Sequence, residues 1–184
     1  WSKHLMDEWV IKQLRRPSKW YGVKFFNVFG PQEYHKDKMS SVVYQTFNQI
    51  NESGKMKLFK SHKDGFKDGE QLRDFVYVKD LVNMCYFFQE SFEAKHKVEN
   101  GIYNIGTGTA RTFNDLVLAT FSAMNIEAAI SYIPTPLDIR DKYQYFTEAS
   151  MTKIKEQGYR KPFTSLEDGV KDYVQNYLMD KNYY

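Results

Sequence analysis

VKFFNVFGPQEYHKDKM, residues Val23 to Met39, is an apolar run that stops at a Gly-Pro pair and turns basic at once. Val23 to Phe29 is rich in β-formers and carries one amide, Asn27, so it reads as a buried strand closed by a turn at Gly30-Pro31. An open α/β sheet does its chemistry just beyond the carboxyl ends of its strands. That places a candidate site at Asn27 and in the loop holding His35, Lys36 and Lys38. Taken alone, the same residues fit an ordinary core strand with a solvated basic loop, because Lys-rich loops are common. The segments on either side have to decide.

Upstream, Leu5, Met6, Trp9, Val10 and Leu14 fall on one helical face, and Arg15-Arg16-Pro17 supplies a stop. A helix leading into a buried strand is half of a βαβ unit, so parallel α/β architecture is expected. The first residue is Trp1 and the helical pattern is already under way there, so the chain is expected to start inside a larger protein.

Downstream, Ser40 or Ser41 caps a helix to about Asn51, with Val42, Val43, Phe47 and Ile50 inward and Gly54 ending it. Met56 to Lys60 is a short strand. His62 to Glu70, charged and with two glycines, is a surface loop. Asp74 to Val78 is a strand feeding a helix capped by Asp80, and Arg73 stands at its mouth. Gly101 to Ile105 is another strand. The GTGT that follows could be taken for a phosphate cradle, but it lacks a third glycine at the right spacing and is better read as a turn. Thr112 or Asn114 starts a helix reaching Met124, Ile130 to Ile133 is a strand, and Pro134-Thr135-Pro136 is extended. Helices from about Thr147 to Gly158 and from Ser165 to Met179 complete the pattern.

With 184 residues, 42% hydrophobic and 17% aromatic, the chain can bury one sizeable core, or one domain and part of another. The net charge of +3 comes from interspersed signs, without the one-signed patch that a nucleic-acid partner needs. A single cysteine, Cys85, leaves no internal disulfide and no Cys-based zinc site. His35 and His62 lack acidic or cysteine partners, so no metal is expected. No apolar run reaches membrane-span length and no signal-peptide pattern opens the chain, so a cytoplasmic protein is expected.

Four stretches, in order, carry a resemblance. SKHLMDE at Ser2 to Glu8 resembles the surroundings of the lysine in the Tyr-x-x-x-Lys motif of extended short-chain dehydrogenase/reductases. FFNVFGP at Phe25 to Pro31, RDFVYVKDL at Arg73 to Leu81 and YNIGTG at Tyr103 to Gly108 resemble later strands of the same superfamily. HKDKMSS at His35 to Ser41, and KYQYFTEAS at Lys142 to Ser150 followed by GYRKPF at Gly158 to Phe163, are similar to its ADP-L-glycero-D-manno-heptose 6-epimerase family.

The resemblance implies an α/β fold, the C-terminal part of a Rossmann-type enzyme with its smaller substrate domain. Residues 1–34 would end the NADP-binding domain, and 35–184 would form mainly the substrate domain, with 73–108 partly returning. It also implies a homo-oligomer that inverts C6 of an ADP-heptose by transient oxidation with NADP, in lipopolysaccharide inner-core biosynthesis. The family's glycine-rich loop and catalytic tyrosine would lie upstream of Trp1, so this chain alone is expected to be inactive. Two departures stand out: Lys24 where the family usually has Arg, and a longer loop from Lys63 to Gln71.

Inverting a secondary alcohol by oxidation and reduction calls for a proton partner on each face of the sugar. The resemblance makes the upstream tyrosine one and Lys36 the other, with partial burial beside Lys38 expected to tune it. It makes Lys3 the cation that bonds the nicotinamide ribose and assists the tyrosine, and places Val28 and Lys36 at the cofactor. Asn27, Lys38, Gln45, Phe59, Lys60, Ser61, His62, Arg73 and Tyr143 would meet substrate, Arg73 gripping the diphosphate as a guanidinium fork can. Each has a plainer alternative: solvated lysines at Lys3, Lys36 and Lys38, a backbone-satisfied buried amide at Asn27, an ion pair with Asp74 or Asp80 for Arg73, and core packing for Phe59 and Tyr143. The competing functions are another nucleotide-sugar epimerase or dehydratase, using a UDP- or dTDP-sugar, and a non-catalytic nucleotide-sugar-binding module.

Overall fold

The computed structural model of the chain describes residues 2–93 and 95–181; Trp1, where the expected first helix opens, lies outside them. Ser2–Lys12 forms α1, as the apolar spacing predicts, yet it buries none of its residues. Leu5, Met6, Trp9 and Ile11 face solvent, and the helix is tied to the sheet by the 2.7 Å ion pair of Asp7 with Lys24. That is the use this chain makes of the lysine at position 24.

The expected strand is present but divided into β1 (Tyr21–Phe25) and β2 (Asn27–Phe29). It is not the buried strand expected, because Val23 and Phe25 are exposed and only Phe29 is fully covered. Gly30 then turns the chain at φ 141°, where a Cβ would sit 2.4 Å from Val78 Cγ1; only glycine fits there without strain. Ser41 caps α2 (Val42–Ser53), which Gly54 ends in the left-handed conformation, and β3 (Met56–Phe59) follows. Next come β4 (Leu72–Arg73), β5 (Phe75–Tyr77), α3 (Val78–Phe92), β6 (Gly101–Ile105), β7 (Arg111–Thr112) and α4 (Phe113–Ala123). Thr112 and Asp115 close a reciprocal capping box at the start of α4. The chain continues through β8 (Ile130–Ile133), α5 (Leu137–Arg140), β9 (Phe146–Thr147), α6 (Thr152–Glu156) and α7 (Leu166–Tyr173), the last widening into a π-helical turn over Val174–Met179.

Three sequence expectations change here. Helix α3 starts at Val78, so Asp80 lies inside its first turn and accepts from the backbone N–H and hydroxyl of Thr164. The helix expected from Thr147 begins only at Thr152, because Phe146–Thr147 pairs with β4 and the Ala149 N–H is taken by Asp74. Arg73 pairs with neither Asp74 nor Asp80; its guanidinium bonds backbone carbonyls.

Parallel pairing dominates. β1 lies beside β6 from Tyr21↔Gly101 to Phe25↔Ile105, and β2 beside β5 from Asn27↔Phe75 to Phe29↔Tyr77. Phe26 hands the chain from one partner to the other, with its N–H on Ile105 O and the Asn27 N–H on Asp74 O. β3 pairs with β8 in parallel, while β4 is flanked by antiparallel β7 and parallel β9. One core gathers Phe29, Val43, Ile50, Phe121 and Val170 between α2, α4 and α7; a second gathers Met84, Phe88, Tyr103 and Ile154 around β6. Among the described residues no helix is long and apolar enough to cross a membrane.

Candidate functional site

The basic loop of the opening stretch is a structured turn. Tyr34–Met39 coils into two short 3-10 turns broken at Asp37, whose φ of 45° and ψ of −121° suit glycine better than an L side chain. Such strain persists only where neighbours over-determine it. Here Gln45 Nε2 donates to Asp37 O at 2.7 Å and to Ser40 Oγ at 2.6 Å, and Ser40 Oγ donates to Asp37 O at 2.5 Å. Glu33, 5% exposed, receives the Ser41 N–H at 2.6 Å and the Ser41 hydroxyl at 2.5 Å, anchoring the loop to the start of α2. Lys36 and Lys38 flank the strained residue on this fixed support. Both are exposed, so the partial burial expected of Lys36 is absent from the chain as folded. Glu33 was passed over in the sequence, because a glutamate beside Gln-Tyr-His reads as solvated until the helix it docks on is placed.

Asn27 and Val28 stand at the carboxyl end of the same strand. Asn27 is exposed and its amide makes no hydrogen bond among the described residues, which removes the backbone-satisfied alternative. Lys3 and Lys36 likewise have no ion pair among those residues. An exposed amide at this strand end, with the exposed ammonium of Lys36 in the turn that follows, is the kind of donor pair that a sugar hydroxyl needs.

Arg73, 9% exposed, donates to Leu72 O at 2.8 Å and to Gln144 O, and lies over the rings of Phe113 and Tyr143 at 5.6 and 5.5 Å. Burial pushes its pKa below the ordinary guanidinium value, and burial likewise raises that of Tyr143. A buried cation without a carboxylate leaves a positive potential for an anion to answer. The two rings over Arg73 also wall a cleft of about 410 Å³ lined by Lys38, Gln45, Phe59, Gln71, Phe113 and Tyr143. Phe59 meets Tyr143 edge-on at 6.1 Å. Four expected substrate residues, Lys38, Gln45, Phe59 and Tyr143, therefore share one cleft; Gln71 and Phe113 join them, two residues that their sequence positions did not single out.

Lys60, Ser61 and His62 do not line that cleft; His62 lines a neighbouring hollow with Tyr143 and Tyr145. His62 Nε2 accepts the Thr135 N–H at 3.2 Å, and its own N–H reaches Tyr145 Oη at 2.8 Å. The Thr135 hydroxyl donates to Lys60 O, while the Ser61 N–H reaches Asp68. The long loop that follows is folded back, with Phe66 packed 5.1 Å from Tyr145 and the Asn114 N–H on Gly69 O.

The GTGT segment is a turn, as expected, and its donors are occupied. Asp74, fully buried, accepts from Thr107 N and Oγ1 at 2.8 and 2.7 Å, Gly108 N at 2.9 Å and Ala149 N at 3.0 Å. A protein carboxylate holds the amides that a phosphate would otherwise use.

Comparison with known proteins rests on the same segments. Residues 1–106 match the family model described as "NAD dependent epimerase/dehydratase family". The chain belongs to that family. Within the NAD dependent epimerase/dehydratase family it is 53% identical over 190 residues to the ADP-L-glycero-D-manno-heptose-6-epimerase of Fusobacterium nucleatum subsp. nucleatum, covering 100% of this chain and 56% of the relative. The crystal structure of the Helicobacter pylori enzyme of that name superposes with a TM-score of 0.72 at 32% identity, over 95% of this chain and 49% of that one. The crystal structure of Thermotoga maritima UDP-glucose 4-epimerase with UDP-glucose gives a TM-score of 0.72 at 25% identity, over 98% of this chain and 52% of that one. The chain thus spans about half the length of these relatives, and its fold is the α/β fold of extended epimerases.

Proposed function

We propose that this chain carries the nucleotide-sugar site and the second proton-transfer group of an NADP-dependent ADP-L-glycero-D-manno-heptose 6-epimerase, working in the cytoplasm as a homo-oligomer. The observation that carries the reading is the shared cleft of Lys38, Gln45, Phe59 and Tyr143, backed by a buried Arg73 that has no carboxylate partner among the described residues. Its volume suits a nucleoside-sized group, aromatic walls suit a base, and the guanidinium beside them suits a diphosphate. A nicotinamide cofactor, when bound, would supply the hydride acceptor and donor for C6, the proton of the C6 oxygen being left to side chains. Lys3, Asn27 and Val28 would hold it and the adjoining sugar. Lys36, on its braced turn, would hold and pass the proton of the C6 oxygen on one face, and a tyrosine outside this chain would serve the other. In this scheme residues 1–34 end the cofactor domain, and 35–184 supply mainly the substrate domain.

Titration calorimetry of the chain with ADP and with UDP tests the reading. ADP is expected to bind and UDP to bind at least about tenfold more weakly, while Arg73→Lys, which replaces a fork with a point charge, should weaken ADP on the order of tenfold. Equal affinity for both nucleotides would favour a UDP-sugar enzyme or a general nucleotide-sugar binder.

A further inference from the structure

Three glutamines line the cleft, and they are not equivalent. Gln45 spends its amide N–H groups on the Asp37 turn, and Gln49 Oε1 accepts the Lys57 N–H at 3.3 Å. Gln71 is different: it is 1% exposed, its Nε2 donates only to Phe59 O at 3.5 Å, and its Oε1 has no hydrogen-bond partner among the described residues. The alternative flip would set two carbonyl oxygens against each other, so the amide nitrogen faces Phe59 and the oxygen faces away from it. An amide oxygen that no protein donor occupies, on a residue that lines the cleft, is free to accept from a ligand donor. Its neighbours Phe59, Phe113 and Tyr143 present rings.

We propose that Gln71 is the base-reading residue of the cleft: its Oε1 accepts a hydrogen bond from the exocyclic 6-amino group of an adenine whose faces lie against the aromatic walls. The assignment rests on the nucleotide reading above and deepens it. It gives Gln71 a chemical reason to be buried two residues before Arg73, where alternation along an extended segment sends both side chains to one side. An acceptor placed this way favours a base bearing the amine over one lacking it, because the analogue leaves the amide unpaired.

The test compares binding of ADP, purine riboside 5′-diphosphate, which lacks the 6-amino group, and 2′-deoxy-ADP to the chain and to Gln71→Met. The wild-type chain should prefer ADP over the purine analogue on the order of tenfold, and Gln71→Met should bring the two within about twofold by weakening ADP. Should Gln71→Met fail to fold, the side-chain amide resonances of Gln71 in the wild-type chain should shift with ADP and stay in place with the purine analogue. ADP bound with no preference over that analogue overturns the inference alone. So does a preference that moves to the 2′-hydroxyl, since the amide would then read ribose. A chain that binds none of the three overturns the nucleotide reading itself.

Discussion

Lys36→Met, in a full-length epimerase made by joining this chain to the part of the F. nucleatum relative that the match leaves uncovered, is expected to lower epimerisation about 10²- to 10⁴-fold at saturating substrate. The size is that of one general acid/base group, because one face of the planar intermediate loses its proton partner while the tyrosine still serves the other. Fold and cofactor retention should survive, since Lys36 is exposed and the bonds that brace the turn among the described residues come from Gln45, Ser40 and Glu33. Lys38→Met is the control for lost local charge and should act mainly on the Michaelis constant. Full turnover in Lys36→Met would end the two-partner scheme. Recovery only at high substrate would reduce Lys36 to a binding group.

Asp74→Ala should act on stability rather than on chemistry. It strips the acceptor from three backbone N–H groups and one hydroxyl, in a place where water does not reach. At about 1 kcal/mol or more for each of the four donors left unpaired, the loss is on the order of 4 kcal/mol or more, a large part of the roughly 5–15 kcal/mol that holds a domain together. Urea unfolding should show the midpoint collapsing, or no folded baseline at all. Thr107→Val, which removes one hydroxyl that donates to Asp74 and accepts from the Thr109 N–H, should cost about 1 kcal/mol. An Asp74→Ala chain with a wild-type midpoint would show that the carboxylate is not the clamp between β5, the turn after β6 and the segment before α6.

What the sequence disclosed follows from the range of the forces involved. Elements specified locally were legible: the Ser41 cap and Gly54 stop of α2, the Thr112 cap of α4, the β-rich GIYNI strand. The strand at Val23 was legible as a strand and misjudged in burial, because an apolar run announces its periodicity without announcing what covers it. The segment after Thr147 has helical composition, yet its backbone is claimed by β4 and by Asp74, partners far away along the chain. At the site, resemblance brought Lys38, Gln45, Phe59 and Tyr143 together, and the structure gathers those four in one cleft. Gln71 escaped notice because a glutamine at the end of a charged loop reads as solvated, and Glu33 for the same reason. Both become distinctive only when their burial is known.

The hand-over at Phe26 bears on how the protein is made. Neither half of the strand has its partner until much later sequence exists: β2 waits for Phe75–Tyr77, and β1 for Gly101–Ile105. During synthesis, Val23 to Phe29, with its three phenylalanines, therefore leaves the ribosome before β5 and β6 exist, and contacts of such long sequence separation form slowly. Between the emergence of Phe29 and that of Ile105 this apolar stretch lacks both downstream partners, so a wrong strand pairing there is the misfolding step that the hand-over invites.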